Sequence, residues 1–261
     1  MQLSLSKYVG GGAKKVKQIN SLILPHKHYV DPFGGMANFL LNKERAELET
    51  LNDIDSDIYF LYRAVKDDFA KFYKIVSHLE YREETFRAAQ LSFLAQEELY
   101  PLHRAVNKFV LHNMSRGGEG KDFAWSDRIR RGLPGDVSGW RSRLSQLHLV
   151  HDRLQGVELL NMDGLALLEE VNRADCLAIV DPPFFSCNPY RYKFFAHRDL
   201  LEILSEFRGQ FILLGYDCDL YEDFRIMFGW NKILTARPSH ASGEKKKKTK
   251  VDVVWTNRAV Q

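Results

Sequence analysis

Cysteine is scarce in this chain, and its scarcity narrows the chemistry at once. Only Cys176, Cys187 and Cys218 occur, none in a CxxC pair, which argues against a disulfide framework and against a structural zinc site. The three read as reduced, buried thiols. Long apolar runs are missing too: no stretch approaches the roughly 20 residues that a membrane span needs, and the opening MQLSLSKYVGGG has no charged segment leading into an apolar one. The expectation is a cytoplasmic protein with no membrane partner. Charge of one sign is not in excess, since 37 Lys and Arg against 34 Asp and Glu leave a net +3, so total charge alone announces no nucleic-acid partner. No internal repeat interrupts the 261 residues, and their 45% hydrophobic content suffices for one sizeable core or a core with a small appended module.

What is present alternates in character. Residues 7–66 carry a Gly-rich opening, a helix-like stretch, the turn DPFGG and an acidic cluster of Asp53, Asp55 and Asp57, a pattern of alternating strand and helix. From 67 to 149 amphipathic helical stretches such as EETFRAAQLSFLAQEELYPLHRAV lead into MSRGGEGKDFAWSDRIRRG, a loop rich in Gly and Arg; this region reads as an insert. Strand signals return from Val157, in CLAIVDPPF, QFILLGYD and the closing VDVVWTN. The sheet is thus expected to assemble from both ends of the chain, with a first domain of 1–66 plus 150–261 and an inserted one of 67–149.

Two turns hold the residue types that chemistry needs. In DPFGGMANF a strand should end near Val30 and a helix begin near Met36, with Gly34 and Gly35 letting the backbone approach a ligand. An ordinary loop has the same composition. Asp53, about 20 residues on, lies at the spacing where an acidic strand end can bond ribose hydroxyls; Asp55 and Asp57 read instead as caps of a helix starting near Ile58. The second turn is Asp181-Pro182-Pro183-Phe184, directly after the buried-strand candidate at 177–180. Two prolines hold the backbone extended without donating hydrogen bonds. Asp181 and the Pro182 carbonyl can then accept both protons of an adenine amine and polarise its nitrogen toward a methyl sulfonium, with Phe184 stacking on an extruded base. A structural turn with a core aromatic is the alternative, but it leaves the acid at the strand end unexplained.

Taken in order, these motifs resemble the Dam-like, alpha-group (D12 class) N6-adenine-specific DNA methyltransferases. The Gly-rich N-terminal motif, DPFGG, NDIDSDIYFLYRAVK, a central insert, DPPF and KKTKVDVVWTN follow that family's order over nearly the whole chain. The resemblance implies an α/β fold, with a Rossmann-like seven-stranded, mostly parallel methyltransferase sheet and an inserted helical target-recognition module. It implies S-adenosyl-L-methionine as cofactor and double-stranded DNA as partner, with a monomeric enzyme transferring the methyl group to a flipped adenine. Residue by residue, it places Lys7, Tyr8, Gly10, Phe33, Gly34 and Gly35 at the cofactor, Asp53 on its ribose and Asp163 of NMDGL on its adenine amine. Asp181, Pro182 and Phe184 hold the target base. The chain departs from the family pattern in delaying the N-terminal lysine to Lys14, in Ala37 where a further glycine is common, and in Phe184 where tyrosine is usual; stacking needs only the ring.

Arg116, Lys121, Arg128, Arg130 and Arg131 lie in the insert loop beside Phe123 and Trp125, the mixture that phosphate and base-edge contacts require. Solvated loop charge is the plainer alternative. The lysines at 245–248, continued by Lys250, suit a loop reaching phosphates and equally a solvated one. Cytosine C5 chemistry would need a nucleophilic cysteine preceded by proline, whereas Ser186 precedes Cys187. His148 and His151 lack a third ligand in register, so no metal is expected. Two other functions fit the motifs less well: a methyltransferase acting on cytosine N4 or RNA adenine, and a nucleic-acid-binding subunit that keeps the fold without catalysis.

Overall fold

The apolar runs bounded by turn residues become the strands of one sheet. In a computed structural model, which describes residues 2–6, 12–94, 101–184, 196–235 and 252–258, these are β1 (His28–Asp31), β2 (Leu48–Asn52), β3 (Glu158–Leu160), β4 (Cys176–Val180), β5 (Gln210–Tyr216), β6 (Asn231–Thr235) and β7 (Asp252–Thr256). The seven-stranded sheet has the order β3-β2-β1-β4-β5-β7-β6. β1 pairs in parallel with β2 and β4, β4 in parallel with β5, and β7 antiparallel with both β5 and β6. This is a Rossmann-like α/β fold. The order reverses between β1 and β4, and in open parallel sheets such a switch point opens a crevice at the carboxyl ends of the strands.

The chain divides into two compact units. The larger part of the sheet lies in the unit formed by residues 17–34, 45–52 and 162–261. Every residue of β4 is buried, as a strand covered on both faces requires. Beside it, Phe211, Tyr221 and Trp255 are large side chains with almost no exposure, Tyr221 standing edge-on to Trp255 at 4.8 Å. The helices α7 (Gly164–Glu170), α8 (His197–Ser205) and α9 (Asp219–Phe228) belong to this unit. Of the cysteines, Cys176 is buried and Cys218 half-buried, while Cys187 falls outside the described residues.

The other unit comprises residues 1–16, 35–44 and 53–161 and is mainly helical. Its long elements are α2 (Ser56–Asp67), α3 (Phe69–His78), α4 (Glu83–Leu94), α5 (Pro101–Met114) and α6 (Gly135–Leu154); α1 (Gly12–Asn20) begins within it. Phe109 of α5 makes the core contact twice, edge-on to Phe72 at 5.6 Å and tilted against Trp140 at 5.2 Å. Asp55 caps α2 by accepting from Asp57 N at 2.9 Å and is also bonded by Lys108 Nζ of α5 at 2.9 Å, both side chains 10% exposed. Arg104, one turn earlier on α5, donates to Asp57 at 2.7 Å. The acidic cluster thus pins α5 to the start of α2, and removing one member of the buried pair would strand a charge.

One expectation needs correction. No α-helix starts near Met36: residues 35–39 form turns, followed by one 3₁₀ turn at Leu40–Asn42. The cause is backbone geometry, since Gly35 and Ala37 sit at φ 48° and 47°, in the left-handed region that a right-handed helix excludes. The insert loop carries short elements of its own. It holds a 3₁₀ turn at Arg116–Gly118, a bridge between Ser115 and Phe123, and a hairpin of Ile129–Arg130 with Leu133–Pro134.

Candidate active site

The carboxyl ends of β1 and β2 are locked together by a side chain that composition and spacing gave no reason to single out. Asn52, the last residue of β2, is fully buried. Its Nδ2 donates to Pro32 O at 2.9 Å and to Met162 O at 3.0 Å, and its Oδ1 accepts from Met162 N at 3.0 Å. Gly34 N donates to the Asn52 carbonyl at 2.7 Å. A Cβ at Gly34 would lie 2.5 Å from Leu51 Cδ1 and 2.9 Å from Asn52 O, so only glycine lets the DPFGG turn lie flat against β2. From one sequence, a buried amide that meets donors and acceptors on both sides looks like any other asparagine at a turn.

Asp53 follows directly and is half-buried. Its Oδ2 accepts from Gly35 N and its Oδ1 from Asp55 N, both at 2.8 Å. Burial outweighs these two bonds and pushes the carboxyl up to about 6. Asn161 Nδ2 fixes the Asp53 carbonyl at 2.7 Å, and Tyr62 Oη donates to Gly35 O at 2.7 Å. Gly35 and Asp53 are thus each held at the backbone carbonyl by a side chain of their own unit, and each Asp53 carboxylate oxygen keeps acceptor capacity beyond its one bond. Ala37, at φ 47° and 1% exposed, adopts a conformation for which glycine is the low-strain choice.

Phe33 and Asp163 lie in the sheet-bearing unit. Asp163 is the exposed N-cap of α7, its Oδ1 accepting from Leu165 N at 2.7 Å and Ala166 N at 3.4 Å. Gly164 follows, and a Cβ there would meet the Phe33 ring at 3.0 Å and Pro32 O at 2.8 Å. Phe33 and the start of α7 are therefore in close contact. Lys7, Tyr8 and Gly10 lie outside the described residues, as do the lysines at 245–248 and Lys250.

At the end of β4, Pro182 is buried while Asp181, Pro183 and Phe184 are half-buried. Phe184 stands edge-on to Tyr216, the last residue of β5, with ring centroids 4.8 Å apart and planes at 81°. An acid, a Pro-Pro segment and a partly accessible ring therefore emerge at the carboxyl end of the strand next to β1. Carboxylate and carbonyl acceptors beside an aromatic face are suited to a planar ligand bearing an N–H donor.

The basic residues divide. Arg128, Arg130 and Arg131 are exposed on or beside the hairpin, whose turn has positive φ at Arg131 (52°) and Gly132 (76°). Trp125 and Ile129 nearby in sequence are 51% and 64% exposed. Arg116 lies in the 3₁₀ turn, and Lys121 is ion-paired with Glu119 at 3.0 Å on the surface. His148 and His151 both pack on Phe69, at 4.8 and 4.5 Å, which gives them a structural use. Among the described residues no group of three or more His, Cys, Asp or Glu is arranged to hold a metal ion, and no helix is long and apolar enough to cross a membrane.

Residues 8–228 match the family of D12 class N6 adenine-specific DNA methyltransferases. No curated protein matches the chain. Among solved structures, the chain is similar to an rRNA methylase from Streptococcus thermophilus, at 11% identity and a TM-score of 0.36 over 93% of each chain.

The hydrogen bonds of Asn52 predict its weight. Asn52→Ala should destabilise the protein by about 2–3 kcal/mol, because it orphans buried backbone groups as well as losing bonds. Urea denaturation measures this, and Asn52→Leu should fare no better; an unchanged midpoint would mean that the amide holds nothing together.

Proposed function

The chain belongs to the D12 class N6 adenine-specific DNA methyltransferase family, and from that premise we propose which of its residues carry the reaction. The family is one of S-adenosylmethionine-dependent enzymes whose substrate is DNA and whose acceptor is the N6 amine of adenine. The observation that carries the residue assignment is the emergence of Asp181, Pro182 and Phe184 from a fully buried strand beside β1, at the point where the strand order reverses.

In this reading an adenine extruded from duplex DNA stacks on Phe184. The Asp181 carboxylate and the Pro182 carbonyl accept its two amine protons, and Asp181 stabilises the positive charge that grows on nitrogen during transfer, a preorganised electrostatic role. S-adenosylmethionine, when bound, supplies an electrophilic methyl group on a sulfonium. The chain's own groups fit such a ligand: Asp53, an acceptor when ionised, takes the ribose hydroxyls, Asp163 the adenine amine, and Phe33, Gly34 and Gly35 line the turn. Lys7, Tyr8 and Gly10 complete the cofactor motif.

Residues 1–66 and 150–261 form the catalytic domain in this reading, and 67–149 the recognition module. Arg116, Lys121, Arg128, Arg130 and Arg131 supply its phosphate or base contacts, the exposed hairpin arginines foremost. The enzyme works as a monomer in the cytoplasm.

Asp53 sets a pH dependence. Ribose hydroxyls donate to the ionised carboxylate, so cofactor affinity is full above about pH 6 and falls as pH drops through it. The protein's own stability responds with the opposite sign: a carboxyl raised from 3.8 to about 6 favours the fold below 3.8, and that advantage is lost as pH rises through 6. Calorimetry should give about ten-fold weaker cofactor binding at pH 5 than at pH 7, and a weak but flat profile for Asp53→Asn. If Asp53→Asn keeps the slope, another residue binds the ribose.

Asp181→Ala should slow single-turnover methylation of duplex DNA by at least roughly 100-fold while keeping cofactor affinity. A wild-type rate in that variant would remove the DPPF turn from the active site.

A further inference from the structure

The most informative group that no family motif explains is Tyr216. Parallel pairing sets Val180 of β4 opposite Leu213 of β5, so Phe184 and Tyr216 lie four and three residues beyond that paired position at the carboxyl ends of adjacent strands. Their rings meet at 4.8 Å and 81°, the edge-to-face arrangement in which the positive rim of one ring meets the negative face of the other. Both are half-buried, so each keeps accessible surface. Together they make a right-angled aromatic corner.

Tyr216 is the fixed member of this corner. Its backbone is in register with Asp252 of β7. Gly215 before it lies against the core, where a Cβ would be 3.2 Å from both the Trp255 and the Tyr221 rings. Tyr221 is itself anchored, its hydroxyl 2.7 Å from His197 Nδ1. Alternation along the strand then turns Tyr216 to the face opposite that packed cluster. Phe184, by contrast, follows two prolines beyond the end of its strand.

We propose that Tyr216 is a positioning residue for the target base: it sets the plane of Phe184, and through that ring the angle at which the adenine amine meets Asp181. The proposal rests on Phe184 being the surface on which the base stacks. A base lying on Phe184 presents an edge toward Tyr216, which limits its rotation in the plane.

The test is single-turnover methylation of duplex DNA, with 2-aminopurine fluorescence at the target position and calorimetric cofactor affinity measured in parallel. Tyr216→Phe keeps the ring and should stay near the wild-type rate. Tyr216→Ala should be roughly three- to ten-fold slower, the range that an aromatic pair spans, with altered 2-aminopurine fluorescence and unchanged cofactor affinity. Tyr216→Leu keeps apolar bulk without a ring and should behave alike, which guards against an alanine variant that fails to fold. In a Phe184→Ala background the Tyr216→Ala effect should vanish, since the residue acts through that ring. An equal loss in both backgrounds, or wild-type rates for Tyr216→Leu, would overturn the proposal and leave stacking on Phe184 intact. A wild-type rate for Phe184→Ala would overturn the stacking itself, and this proposal with it.

Discussion

The turn after β1 depends on one buried amide. Asn52 closes β2 and satisfies both of its polar ends on neighbouring backbone, at Pro32 in the turn after β1 and at Met162 before α7. A hydrogen-bonded amide in the interior is strongly directional, and leaving its partners unmet is costly. The turn after β1 is therefore positioned by the end of β2, with Gly34 packed so closely on Leu51 and Asn52 that no side chain fits. Phe33 inherits its place from that turn, and Gly164 gives the ring room at the start of α7.

The topology does the rest. β1 and β4 are neighbours although some 145 residues separate them in the chain, and parallel pairing brings both carboxyl ends to the same edge of the sheet. An Asp-Pro pair stands at the end of each. The first pair leads into glycines and a close-packed turn; the second leads into a further proline and an accessible aromatic ring. The two strand ends thus offer surfaces of different chemistry at one end of one sheet, with a buried apolar core beneath to keep them in place.

Much of the fold was legible because burial writes itself into composition. CLAIV, FILLG and VVW are apolar runs with no room for a solvent-facing side, and each lies in a strand. Asp55 was readable as a helix cap because capping uses few residue types at a fixed offset. Its second bond, to Lys108, was not readable, since the partners lie 53 positions apart. The helix expected near Met36 failed for a reason mostly hidden in the letters: glycine at 35 permits a left-handed turn, and at 37 only the glycine common in the family, not the alanine itself, points to one. Asn52 and Tyr216 escaped notice for the same cause. Their importance comes from neighbours that only the strand order supplies.

The central claim is that this sheet edge methylates the N6 amine of adenine in DNA. The direct measurement is transfer of a labelled methyl group from S-adenosylmethionine to duplex DNA, followed by digestion to nucleosides and identification of the labelled product. The account predicts label in N6-methyldeoxyadenosine. Label in N4-methyldeoxycytidine, or transfer to RNA but not to duplex DNA, would contradict it.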